Sequence, residues 1–122
     1  MIGMPSAGKH YRQYLHNSEF LDADVFNGGA NYTDWYVTTI FYCAAHLVER
    51  ELAKAGYHLT NHKARLNCVQ MASNLKAIST EYIFLYNESR RSRYDCVKFT
   101  PQDIKIIKDN YEKIENLLVK IS

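Results

Sequence analysis

Apolar positions recur at helical intervals along most of the chain, and nowhere does a period-two pattern hold for long. The clearest stripe is Val37, Ile40, Phe41, Ala44, Leu47, Val48, Leu52 and Ala55. Its steps of three and four residues put every member on one helix face. Thr33 stands where an N-cap belongs, Asp34 follows in the first turn where the helix dipole favours a negative charge, and Gly56 suits a left-handed terminus. The pattern predicts a helix over Asp34–Ala55. A weaker pattern, with Tyr11, Tyr14, Leu15 and Leu21, predicts an earlier helix from about Ala7 to Ala23. Between the two lies the turn-forming run Asn27-Gly28-Gly29-Ala30-Asn31, read as a loop.

Beyond Thr60, itself an N-cap candidate, Ala64, Leu66, Cys68, Val69 and Met71 predict a third helix. Leu75, Ile78, Tyr82 and Leu85 continue helical spacing through Asn74–Arg93, with a break near Ser73 left open. The run Tyr82-Ile83-Phe84-Leu85-Tyr86 has strand-forming residues, but the helical period passes through it. The sharpest boundary is Thr100-Pro101-Gln102-Asp103: an N-cap, a proline at the first helical position and an acid in the first turn. Ile104, Ile107, Tyr111, Ile114, Leu118 and Ile121 then form a narrow seam of the coiled-coil type. Such a seam either closes the chain's own core or faces a second copy. The fold expected is an all-α, four- to five-helix antiparallel bundle, formed as one domain over residues 1–122.

Composition narrows the function more than it names it. The 122 residues are 47% hydrophobic and 23% charged, and 15 Lys+Arg against 13 Asp+Glu leave a net charge of +2. A basic surface must therefore be a local patch. Five glycines and two prolines are too few for a turn-rich β-barrel. Cys43, Cys68 and Cys96 are odd in number and form no CxxC pair, so free thiols in a reducing compartment are expected. Met1–Lys9 lacks the pattern of a secretion signal, and no apolar run approaches the roughly 18 residues that span a bilayer. A cytoplasmic location without membrane contact follows as an expectation.

The candidate chemistry is sparse. Tyr36, Thr39, Cys43, His46 and Arg50 form a second stripe on the long helix. They either pack against neighbours or line a groove in which His46 and Arg50 meet an anion. His58 and His62 are four apart, but the cap at Thr60 separates them, no HExxH pattern is present, and no metal site is expected. His10 and His16 lie on a polar helix and are expected to face water. The strongest charge feature is Glu88-Ser89-Arg90-Arg91-Ser92-Arg93-Tyr94-Asp95. Arginines at a helix C-terminus are favoured by the dipole alone. They are also planar forks for phosphate oxygens, with Tyr86 and Tyr94 offering stacking surfaces for bases. There is no Gly-rich phosphate loop and no GxSxG nucleophile turn, and nothing marks the acidic pair Asp22 and Asp24 as catalytic.

Three segments together resemble the HEPN domain (higher eukaryotes and prokaryotes nucleotide-binding). They are the aromatic and small-residue helix Trp35–His46, the position of His62, and Arg90-Arg91-Ser92-Arg93-Tyr94-Asp95, whose Tyr-Asp order inverts the common Asp-Tyr. The resemblance covers about Thr33 to Ile121. It implies a four- or five-helix, mostly antiparallel bundle, frequently a homodimer. Many HEPN proteins are metal-independent RNases of toxin–antitoxin, CRISPR or abortive-infection systems, and others are non-catalytic partners of nucleotidyltransferases. The RNases carry Arg, four to six residues, then His, and no arginine of this chain is followed by a histidine at that spacing. The expectation is therefore a non-catalytic HEPN-like module that binds RNA, a nucleotide or a protein partner, without a cofactor. Its anion-binding residues would be Arg90, Arg91, Arg93, Tyr94 and Arg50. The alternatives are an RNase using His46 or His62 with Arg90 or Arg91, and a purely structural interaction bundle.

Overall fold

The computed structural model describes residues 5–22, 32–59, 61–95 and 97–120. These form five α-helices: α1 (Ala7–Leu21), α2 (Thr33–Lys54), α3 (His62–Met71), α4 (Ser79–Tyr94) and α5 (Pro101–Glu115). A 3₁₀ turn, Lys76–Ile78, leads into α4, and a π-type turn, Asn116–Lys120, extends α5. There is no strand among the described residues, so the all-α reading stands. The predicted Asn27–Asn31 loop, the Thr60 cap, Cys96 and Ile121 lie outside the described residues.

The centre of the bundle is α2, packed against α1, α4 and α5. Val37, Ile40, Phe41, Ala44, Leu47, Val48 and Leu52 are all buried, as their spacing requires. Ala55 is exposed, because the helix ends at Lys54 and Ala55 caps it. Gly56 follows with φ of 88°, the left-handed geometry that a side chain opposes. The helix starts at its expected cap, one residue before the predicted Asp34: Thr33 is its first residue, and Tyr32 precedes it with no side-chain cap. The second α2 stripe also turns inward, with Cys43 buried and Tyr36 and Thr39 half-buried. A helix surrounded on three sides needs apolar residues over most of its circumference.

The end of α4 meets the start of α2, where Ser92 touches Thr38, so α4 runs antiparallel to α2, whereas α5 lies parallel to it. Lys108, midway along α5, sits 5.3 Å over the Tyr36 ring near the start of α2. Near the far ends, the Arg50 guanidinium donates to the Leu118 carbonyl. The α5 seam faces the chain's own core, with Ile107, Tyr111, Ile114 and Leu118 buried. Of the two expected uses of that seam, this is the intramolecular one.

Small residues set the approach of α4 to α2. Tyr82, Leu85, Ser89 and Ser92 form the inner face of α4, and the Ser92 and Thr38 hydroxyls meet at 2.5 Å across the interface. The serines beside the arginines thus point inward, leaving Arg90 exposed and Arg93 half-buried. The break near Ser73 is real: α3 ends at Met71, and Leu75 and Ile78 belong to the turn.

At the start of α5, Thr100 Oγ1 accepts from the Asp103 amide at 3.1 Å and the Asp103 carboxylate accepts from the Thr100 amide at 2.9 Å. This capping box holds the Asp103 carboxyl below its ordinary range, chiefly through the Thr100 hydrogen bonds. Thr100→Ala should lower stability by about 1 kcal/mol in urea unfolding. No loss would mean that Pro101 alone defines the helix start.

Candidate functional site

Three helices bring polar side chains together on one flank. From α2 come Tyr42, His46 and Glu49, from α3 come His62 and Arg65, and from α4 come Tyr86, Arg90 and Arg93. Steps of three and four residues put each set on one face of its helix. The pivot is Arg65, only 7% exposed. Its guanidinium reaches Glu49 Oε1 at 2.9 Å and donates to His62 Nδ1 at 2.8 Å. His62 is therefore unprotonated at Nδ1. Glu49 turns its other oxygen, Oε2, to His10 Nδ1 at 2.9 Å and His46 Nδ1 at 3.6 Å. His10, read from the sequence as facing water, is instead packed between α1 and α2. His16 does face water. The difference lies in helix phase: His10 stands four residues before the buried Tyr14, on the face of α1 that packs against α2.

Burial is the leading influence on these groups. It lowers the His46 pKa to about 4, with the His10 and Arg65 charges adding to the effect. It also lowers His10, helped by Arg65 and His58, and lowers His62, helped by Arg65, Arg93 and Arg90. Glu49 moves upward because its loss of hydration outweighs the attraction of Arg65. At neutral pH the three imidazoles are uncharged.

From His62 the network runs outward. The His62 ring packs 5.1 Å from Tyr86, whose hydroxyl accepts from Arg90 at 3.3 Å. Arg90 and Arg93 lie 5.6 and 5.3 Å from the centroid of the Tyr94 ring, which is 67% exposed. Arg93 also donates to the Tyr42 hydroxyl at 3.2 Å and to the Ser89 carbonyl. Among the described residues, neither Arg90 nor Arg93 has a carboxylate within ion-pair distance. The result is a cationic, aromatic surface with a neutral histidine beside it.

The structure gathers His62, Arg90, Arg93 and Tyr94 as a group and connects His46 to them through Glu49 and Arg65. It does not bring Arg91 or Arg50 there. Arg91 pairs with Glu88 at 2.8 Å and lies over Phe99. Arg50 packs over Tyr11 and pairs with Glu51 at 2.9 Å, besides its bond to Leu118. Sequence reasoning missed Glu49 and Arg65. The usable signal was local: His46 with Glu49 and His62 with Arg65 are both i, i+3 pairs next to apolar stripes. Comparison with known protein families, characterised proteins and solved structures finds no match.

Proposed function

We propose that this chain is a non-catalytic, HEPN-like helical module that binds RNA or a nucleotide through the α3–α4 surface. The observation that carries the reading is the pair Arg90 and Arg93, free of carboxylate partners among the described residues, flanking the exposed Tyr94 ring. Guanidinium groups bind phosphate oxygens through parallel N–H donors, and an exposed aromatic ring stacks a base without regard to its identity. The two functions sit within one helical turn. The inward-facing Ser89 and Ser92 hold α4 in place, so the surface is presented by a rigid element. With a net charge of only +2, the chain attracts polyanions through this patch and not through its overall field.

Fluorescence anisotropy with a labelled single-stranded RNA, over a range of salt, tests this. Replacing Arg90 and Arg93 together by Ala should weaken binding by at least about tenfold and reduce the salt slope by about two. Arg91→Ala should change little, because Arg91 is already paired with Glu88. Wild-type protein that binds neither RNA nor nucleotides at low salt would leave a structural bundle as the better reading.

A metal-independent RNase is the second reading, and one observation favours it. His62, whose Nδ1 lone pair is taken by Arg65 so that Nε2 carries the proton, stands beside the Arg90 and Arg93 charges as a proton donor beside an anion site would. Cleavage in the presence of EDTA, lost in His62→Ala, would establish it over simple binding. In the wider proposal the module acts in a toxin–antitoxin or defence setting, beside a partner such as a nucleotidyltransferase. Because the α5 seam is internal, a homodimer would be formed through the arginine-bearing flank, where two copies double the patch. Light scattering should then show twice the monomer mass.

A further inference from the structure

We propose that His10, His46 and Glu49 form a site for a divalent transition-metal ion of the zinc class, joining α1 to α2. The donor atoms are already in place. His10 Nδ1, His46 Nδ1 and Glu49 Oε2 form a triangle with edges of 3.1, 2.9 and 3.6 Å. A tetrahedral centre with bonds of about 2.0–2.1 Å to nitrogen and oxygen has ligand–ligand edges of roughly 3.3–3.4 Å. Placing an ion at its centre therefore requires side-chain shifts of only tenths of an ångström.

Proton bookkeeping favours an ion over hydrogen bonds alone. A single proton on His10 Nδ1 has to be shared between two acceptors, Glu49 Oε2 at 2.9 Å and His46 Nδ1 at 3.1 Å. A proton on each nitrogen would set two N–H groups against one another. A dication between them satisfies both lone pairs and the carboxylate oxygen together. All three side chains are 11–23% exposed, so bulk water competes weakly for the position.

The surroundings fit as well. Glu49 Oε1 is taken by Arg65, which fixes the carboxylate and leaves Oε2 for a single bond to the metal. The guanidinium and carboxylate charges cancel, so the site tolerates a dication without attracting it strongly from a distance. A pocket of about 120 Å³ borders His10, Glu49 and Arg65 and carries His58 on its wall. It has room for water at a fourth coordination position. Two imidazoles and one carboxylate suit zinc, cobalt or nickel, whereas magnesium and calcium prefer all-oxygen shells.

The test is a cobalt(II) titration of the full chain after dialysis against EDTA, with zinc added afterwards. Saturation at one ion per chain, the intense visible bands of four-coordinate cobalt, and their loss on adding zinc are expected. His10→Ala and His46→Ala should each weaken binding by more than about 100-fold, beyond what loss of an outer partner causes. His16→Ala, on the exposed face of α1, should bind as the wild type does. No saturable cobalt binding by the wild type, or binding kept in both ligand variants, overturns the site. If either variant fails to fold, the wild type still decides through its histidine ring nitrogens. On zinc addition, the Nδ1 resonances of His10 and His46 should shift to the metal-bound range. Shifts confined to His58 and His62 would place the metal elsewhere. RNA affinity is measured separately, so the two proposals can fail independently.

Discussion

Phe41→Ala is expected to cost about 3–5 kcal/mol of folding stability, the range for truncating a buried aromatic residue. Phe41 is fully buried, and its ring lies 5.7 Å from those of Tyr82, Tyr86 and His62. Such ring pairs each add roughly 0.5–1.5 kcal/mol to the effect of burial. The substitution therefore removes both apolar volume and the support under three other rings. One of these is His62, so the loss should spread to the polar flank. Phe41→Leu keeps most of the apolar volume and should cost about 1–1.5 kcal/mol. Urea unfolding followed by circular dichroism reads both values. A cost below about 1 kcal/mol for the alanine variant would mean that this ring cluster is not the core of the bundle.

Glu49→Gln should destabilise by about 2–3 kcal/mol even though it changes almost no volume. The reason is Arg65. Its side chain is 9% exposed and its Nε has no hydrogen-bond partner among the described residues, so Glu49 is its main compensation. A guanidinium cannot shed its proton to escape burial. The amide retains an acceptor oxygen for one Arg65 N–H, which limits the loss. Adding Arg65→Met removes the stranded charge, so the double variant should be less destabilised than the sum of the two single ones. Added salt should alter the pair little, because ions do not reach it. A Glu49→Gln variant within about 0.5 kcal/mol of wild type would show that water, not Glu49, solvates Arg65.

How much of this was legible beforehand differs by element. For α2, the repeat from Val37 to Leu52 and the stop at Gly56 located the helix within a residue and identified its buried face. For α5, Thr100 and Pro101 marked the start, because a capping box uses only side chains within one turn. For α1 the pattern placed the helix and, with Tyr11, Tyr14 and Leu21, most of its packed face, but Leu15 is exposed and His10 was assigned to solvent. The arginine cluster was visible as a charge run. Its division was not: Ser89 and Ser92 face α2, Arg90 and Arg93 flank Tyr94, and Arg91 is occupied by Glu88.

The sequence by itself determined the helices, their caps and the apolar stripes, because each depends on neighbours three or four positions away along one chain segment. The tertiary structure alone decided which polar side chains meet. His10, His46, Glu49, Arg65 and His62 come from three helices, and the pairs that join those helices span 16 to 39 positions in the chain. Helical periodicity carries no information about the relative rotation of two helices. That rotation is set when Phe41, Tyr82 and their neighbours close the core, and the polar residues on the adjoining faces are then brought within hydrogen-bond distance.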